Sequence, residues 1–425
     1  MRKLLSTLLA IAMLAGMLLP VAALGETNEP ITIQFWNGWS GSDGDVLIEM
    51  VDRFNETNPY NITIEMDINS EFLNKIAAEF AADSGPQLIL GANNFKDLYV
   101  GYLLPLNEIF EKTALKQEDF IAGYVDSCST DGEIFVLPFQ VTARYMYWNK
   151  DLFAAAGLDP EVPPASYAEW SEMAAKITNE DANVYGSGLS YTATVTNAAI
   201  MQRMGGNFVD YDDNGEFVPL FEGNEGFVKF GNWMKELIDS GNNPMETDTT
   251  SMFKAGQIGI MADGAWTNSA LQEIGLNYGV GLLPYDDAGK VLPTSVSGFA
   301  ITKYTTEAEV MACYRFLEWW YNGDENTDVS GALRWSLDCG YPTYYLPVAN
   351  DPRYQASELL AAMTNTDNEV DTTFWAPSAF AQTFTLSSEV IQPFIDKVVI
   401  SGEDPLSVLT ECQSAAQAII DAAKK

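Results

Sequence analysis

Apolar residues along this chain follow two rhythms, one of every second position and one of every third or fourth, and the two alternate. Ile31–Trp36 (ITIQFW) has the shorter period and reads as a strand. Asp45–Asn55 has the longer one, placing Val46, Leu47, Met50, Val51 and Phe54 on one helical face. Asn61–Ile68 (NITIEMDI) returns to period two. Ser70 then stands as the cap of a helix carrying Phe72, Leu73, Ile76, Ala77 and Phe80. Gln87–Leu90, bounded by Gly85-Pro86 and Gly91, reads as a short buried strand. A β-α-β-α-β order implies a parallel sheet with helices on both faces, so the expected fold class is α/β.

The middle of the chain repeats the style. Ala143–Trp148 predicts a strand that leads into a helix ending at Gly157. Ser166 and Glu169 form a capping box for the helix carrying Trp170, Met173 and Ile177. Asn224–Ser240 is a further helix, stopped by Gly241, and Gln257–Ala262 is a strand ending at Asp263-Gly264-Ala265-Trp266. After Phe299–Lys303 comes an apolar helix from Val310 to Tyr321, and a last amphipathic helix starts at Pro405. Asp210–Glu216 superficially has calcium-loop spacing. Its twelfth position is Phe221 where a bidentate Glu is required, so a β-hairpin with an Asn214-Gly215 turn explains it better.

Ahead of these elements, Arg2 and Lys3 precede the apolar run Leu8–Leu19, and Pro20, Ala22, Ala23 and Gly25 follow. That is the order of a signal peptide, with cleavage expected after Gly25. The run falls short of the roughly 20 apolar residues of a membrane span, and no later segment is long and apolar enough, so stable membrane insertion is not expected. The first cysteine is Cys128, leaving no lipid-anchor acceptor near residue 25. Two of the 22 basic residues leave with the leader and none of the 59 acids does, which takes the net charge from −37 to −39. Such a surface excludes nucleic acid as a partner, since nothing would neutralise phosphates, and disfavours docking on an anionic bilayer. The absence of histidine removes His-dependent triads and His-ligated zinc. Cys128, Cys313, Cys339 and Cys412 show no CxxC spacing; they read as structural, with three full pairings or free thiols all open. Nothing calls for a metal or a cofactor.

Ligands of open α/β sheets bind beyond the carboxyl ends of the strands. The first strand runs into Trp36-Asn37-Gly38-Trp39 and the third into Gly91-Ala92-Asn93-Asn94, both rich in groups that suit a sugar. A flat aromatic face stacks on the C–H face of a sugar ring while amides meet its hydroxyls. Trp36, Trp39, Trp266 and Trp375 are the candidate stacking residues because each sits at a strand end or in a broken loop; Trp170, Trp233, Trp319 and Trp320 fall on helices and read as core. Asn37, Asn93, Asn94, Gln140 and Ser297 are candidate hydrogen-bonding companions. Arg144 could clamp an anionic group, or form a salt bridge with one of the many acids. Paired carboxylates for glycoside hydrolysis have no local signature among so many acids, so a secreted glycosidase or lyase stays as the alternative.

The ordered set of segments ITIQFWNGWSG, GPQLILGANNFKDLYVGYLLPLNE, DGEIFVLPFQVTARYMYWNKDLFAAAGL, MFKAGQIGIMADGAW, SVSGFAITK and CGYPTYYLP resembles the carbohydrate-type (family 1) extracellular solute-binding proteins of ATP-binding-cassette importers, the group that includes maltose-binding protein. The resemblance covers essentially all of the chain after the leader. It implies a two-lobed, type II periplasmic-binding-protein fold, each lobe a doubly wound sheet flanked by helices. One lobe would hold 26–139 plus 290–340 and the other 140–289 plus 341–425. A small carbohydrate would be enclosed between them by hinge closure and passed to the importer's membrane permease, without chemistry. The expected protein is an exported monomer, periplasmic or extracellular. By the same resemblance Trp36, Asn37, Trp39, Asn93, Asn94, Gln140, Arg144, Trp266, Ser297 and Trp375 are the ligand-binding positions. Many Gram-positive members carry a lipobox cysteine that this chain lacks.

Overall fold

The computed structural model describes residues 29–92, 94–286, 291–323, 329–363, 370–373, 380 and 382–424. The leader, Asn93 and Trp375 lie outside the described residues. The chain begins with β1 (Ile31–Asn37), α1 (Ser42–Thr57), β2 (Ile62–Ile68), α2 (Phe72–Ala81) and β3 (Leu88–Ala92). It continues through β4 (Leu137–Thr142), β5 (Tyr145–Asn149), α3 (Tyr167–Ile177), β6 (Tyr185–Gly188), α4 (Thr194–Arg203), α5 (Glu225–Asp239), β7 (Ile258–Asp263) and β8 (Tyr278–Leu282). Then follow β9 (Val291–Ile301), α6 (Glu307–Asn322), α7 (Gly331–Cys339), β10 (Val370–Thr373) and α8 (Pro405–Ala423), with short helices and hairpins between.

Two sheets result. In the first the order is β10-β9-β3-β1-β2, with β4 also paired to β9; in the second it is β8-β5-β7-β6. β1 lies parallel to β2 and β3, as the β-α-β pattern requires. Both sheets are nevertheless mixed, because β9 runs against β3 and β5 runs against β7 and β8. The cause is where each strand comes from. Strands laid down by β-α units aim their carboxyl ends at the cleft. A strand arriving from the opposite lobe starts at the cleft and runs away from it, and β9 and β5 are those arrivals.

Two buried clusters form, the first spanning the first sheet and one face of the second through Tyr145, Tyr147, Met261 and Val280, the second covering that sheet's other face. Around the first, Phe54 lies 5.1 Å from Phe316, and Phe139 lies 5.1 Å from Phe299 and 4.8 Å from Trp335. Around the second, Trp170 and Trp233 meet at 5.7 Å, and the Trp170 indole N–H donates to Ser187 Oγ at 3.1 Å. Trp170, Trp233, Trp319 and Trp320 are all buried, as their helical positions predicted. α8 buries Val408, Leu409, Cys412, Ala416, Ile419 and Ile420 at helical spacing, and Asp404 caps it by accepting from Ser407 N. The four cysteines are buried free thiols, and burial pushes the Cys128 and Cys412 thiols up to about 12. None is poised as a nucleophile.

Several local expectations shift. Ser166 Oγ accepts from Glu169 N, but the Glu169 carboxylate reaches back to Ala165 N, so the box is only half closed there. The reciprocal box belongs to Thr306 and Glu309 at the head of α6. Ser70 does not cap α2; Asn69 Oδ1 organises that turn by accepting from Glu71 N at 2.8 Å. The hairpin forms as expected, Val209–Tyr211 against Phe217–Pro219. The segment after residue 340 packs on the first core. Tyr341 stacks on Trp335 at 5.2 Å and Tyr345 meets Phe120 at 4.9 Å, its hydroxyl donating to Asn322 Oδ1 at 2.8 Å. These tyrosines complete the first core, where their rings find an aromatic cluster to bury against.

Candidate functional site

Between the lobes lies a cavity of about 790 Å³. Its first wall comes from the loop after β1, the start of α1 and α2, the end of β3, and β4 and β9; its second comes from Arg144, the start of α4, Thr250, Lys254 and the turn after β7. Gln140 and Ser297 are register partners on β4 and β9, side by side where the chain crosses between lobes, and both line the cavity. The register shifts between Ser297 and Gly298, leaving Phe139 as an extra residue that bulges β4 here. A Cβ on Gly298 would lie 2.4 Å from Leu137 O, so only glycine lets the two crossing strands approach this closely.

Of the ten candidate positions, Trp39, Asn94, Gln140, Arg144, Trp266 and Ser297 line the cavity. Trp36 and Asn37 are absent from its lining, and strand parity explains Trp36. Ile33, Phe35 and Asn37 face the core, so Trp36 turns to the opposite face, where the Lys75 ammonium sits 3.5 Å from the ring centroid. Asn37 is fully buried and supports the site from behind, its Oδ1 accepting from Trp39 N at 3.0 Å. Asn94 Oδ1 is shielded and has no hydrogen-bond partner among the described residues.

Trp266 owes its position to Gly264. The indole folds back so far that a Cβ at 264 would lie 2.2 Å from ring atoms, while Tyr147 Oη–H donates to Gly264 O at 2.8 Å and pins the turn. The ring remains 38 % exposed, an unusual state for tryptophan that leaves a face free for a partner. Arg144 lies beneath it, the guanidinium carbon 4.6 Å from the ring centroid. Arg144 is buried and donates from Nε to Thr196 Oγ1 at 3.1 Å. Burial lowers its pKa to about 10, partly opposed by the nearby Asp263 carboxylate, so it stays charged at neutral pH.

Pattern reasoning missed two members of the opposite wall. Asp43, in the first turn of α1, is buried and accepts from Tyr341 Oη–H at 2.9 Å and from Gly44 N at 2.9 Å. Burial raises its carboxyl above the ordinary value, with these hydrogen bonds pulling the other way. An acid at a helix start looks like routine dipole compensation, so nothing in the pattern flagged it. Tyr341 lies within CGYPTYYLP, but only the folded chain brings it to Asp43. Among the described residues lining this cavity, Asp43 is the only carboxylate. Glycoside hydrolysis requires two, facing each other across the bond.

A family model described as bacterial extracellular solute-binding protein matches residues 49–362. The sn-glycerol-3-phosphate-binding periplasmic protein of Agrobacterium fabrum is 26 % identical over 279 residues, covering 60 % of this chain and 61 % of that relative. The match thus spans less than two thirds of that relative's length. Two solved structures share the fold. The GacH receptor of Streptomyces glaucescens, studied unliganded and with acarbose, superposes with a TM-score of 0.77 at 18 % identity, over 92 % of this chain and 99 % of that one. UgpB of Mycobacterium tuberculosis, in complex with glycerophosphocholine, gives 0.76 at 17 % identity, over 93 % and 100 %. No helix among the described residues is long and apolar enough to cross a membrane.

Proposed function

The chain belongs to the bacterial extracellular solute-binding proteins, and from that premise we propose that it captures a small carbohydrate between its lobes and delivers it to the membrane permease of an ATP-binding-cassette importer. The observation that carries this reading is the pairing of walls: Trp39 on one lobe and the half-exposed Trp266 on the other flank a cavity edged by Gln140, Asn94, Ser297 and Arg144. Two aromatic faces with amide and guanidinium donors between them form the surface a sugar ring needs. The protein does no chemistry itself, a reading supported by the single carboxylate among the described residues that line the cavity. It acts as an exported monomer after loss of residues 1–25. The lobes, 26–139 with 290–340 and 140–289 with 341–425, close about the crossings as two bodies, except that Tyr341–Val348, packed on the first core, moves with the first.

A phosphorylated polyol is the second reading, favoured by Arg144 and Lys254 on the same wall. Calorimetric titration with maltose, maltotriose, sn-glycerol 3-phosphate and glycerophosphocholine tests both. One-to-one binding of an unaltered compound is expected. Silence across the panel contradicts the proposal, and heat from continuing turnover contradicts the absence of chemistry.

A further inference from the structure

A second pocket, of about 140 Å³, opens in the second lobe beside the main cavity. Six of its lining residues carry hydroxyls, Ser190, Thr192, Thr196, Thr247, Thr249 and Thr250; Asp263 and Asn197 add polar groups, and Leu189, Ala193 and Ala262 complete the wall. Thr250 lines both spaces, and Arg144, in the wall of the large one, donates to Thr196 in the wall of the small one. The volume equals that of roughly four to five liquid waters, or one short polyol fragment.

Asn197 defines what the pocket asks for. Its side chain is fully buried, and its Nδ2 donates to Ser190 O at 2.9 Å, with Tyr191 O a further 3.5 Å contact. Two carbonyl neighbours fix the amide orientation, because turning it would set oxygen against oxygen. Its Oδ1 is left shielded, with no partner among the described residues. An unmet buried acceptor is costly and calls for a donor. Asp263 adds acceptor character, although its Oδ2 already takes Thr250 and Thr267 hydroxyls at 3.0 and 2.9 Å. A phosphate or carboxylate would face these acceptors unfavourably. An apolar group would leave them unmet. A hydroxyl both donates to Asn197 Oδ1 and accepts from the threonines.

We infer that this pocket is a separate subsite for the hydroxymethyl or vicinal-diol end of the captured solute, whose body lies in the main cavity against Arg144 and Trp266. The inference rests on the solute-binding reading above and names the part of the solute that sets specificity. The same four probes, maltose, maltotriose, sn-glycerol 3-phosphate and glycerophosphocholine, all carry free hydroxymethyl groups and are titrated into wild type, Thr249→Val and Asn197→Asp. For whichever probe binds wild type, Thr249→Val is expected to weaken it about five- to tenfold, as one lost hydrogen bond does. Asn197→Asp should weaken it too, since a carboxylate there crowds Asp263. As a control on wild type that needs no variant, threonine-methyl NMR should shift Thr192, Thr196, Thr247 and Thr249 when the probe binds. A probe that binds wild type without moving those methyls, or with equal affinity for both folded variants, leaves the pocket to water and overturns the inference. Failure of all four probes to bind wild type overturns the solute reading itself, and this subsite with it.

Discussion

On the first-lobe wall most polar side chains are held by the fold itself, with Asn94 Oδ1 and Asn37 Nδ2 left without a partner among the described residues. Gln140 Oε1 accepts from the Trp335 indole at 2.9 Å, Asp43 accepts from Tyr341, and Asn37 holds the backbone of Trp39. On the second-lobe wall Arg144 is held by Thr196 and stacks under Trp266, whose indole is covered on that side. Trp266 stays 38 % exposed over Arg144, and the hydroxyl pocket keeps an unmet acceptor at Asn197. One wall is a preformed floor continuous with the aromatic core, through Trp39–Phe139–Phe299 contacts at 6.1 and 5.1 Å. The other presents the exposed face of Trp266 and the buried acceptor of Asn197. The difference assigns stability to the first wall and affinity to the second.

That assignment fails or sharpens under four substitutions. Arg144→Ala should have the largest effect, cutting affinity by at least ~30-fold, about 2 kcal/mol, measured by calorimetry, since it removes the central buried cation of the site. Gln140→Leu should instead cost stability, about 1–3 kcal/mol in urea unfolding, because it strands the buried Trp335 N–H. Trp266→Ala should weaken ligand binding by about 1–2 kcal/mol and change folding stability by less than ~0.5 kcal/mol. If Trp266→Ala unfolds the protein more than Gln140→Leu does, the contrast between the walls is wrong.

The smallest effect concerns pH. Because burial raises the Asp43 carboxyl in the folded state, the protonated form is favoured there relative to the unfolded chain. Its contribution to stability is therefore fullest below the ordinary carboxylate value of 3.8 and is lost as pH rises through the raised folded value. Asp43→Asn keeps an oxygen for Tyr341 and removes that loss. Its stability relative to wild type should grow as pH climbs from 3.5 toward neutrality, measured by urea unfolding at fixed pH. A constant difference would show that Asp43 titrates as an exposed acid.

The strands and helices were legible because each buries one regular stripe. β1, β2 and β3, α5 stopped at Gly241, and α8 with Pro405 at its first turn all follow from local pattern. Strand direction at β5 and β9 was not legible, since it depends on which lobe the chain has just left. The site divided the same way. Trp39, Gln140, Trp266 and Ser297 stand at turns and crossings that punctuation marks. Trp36 misled because a single-residue step in a strand reverses its face. Asp43 and Tyr341 were hidden because they are about 300 residues apart in sequence and meet only through tertiary packing. Asn197 was hidden inside a helix whose buried face gives no sign of an unmet acceptor.

The central claim is that two differently built walls close on a solute. Small-angle X-ray scattering of the protein, alone and saturated with whichever panel compound binds, tests it most directly. The account predicts a smaller radius of gyration on saturation, and a smaller change when Trp266→Ala is brought to the same occupancy. An identical scattering profile for free and saturated wild type would contradict it.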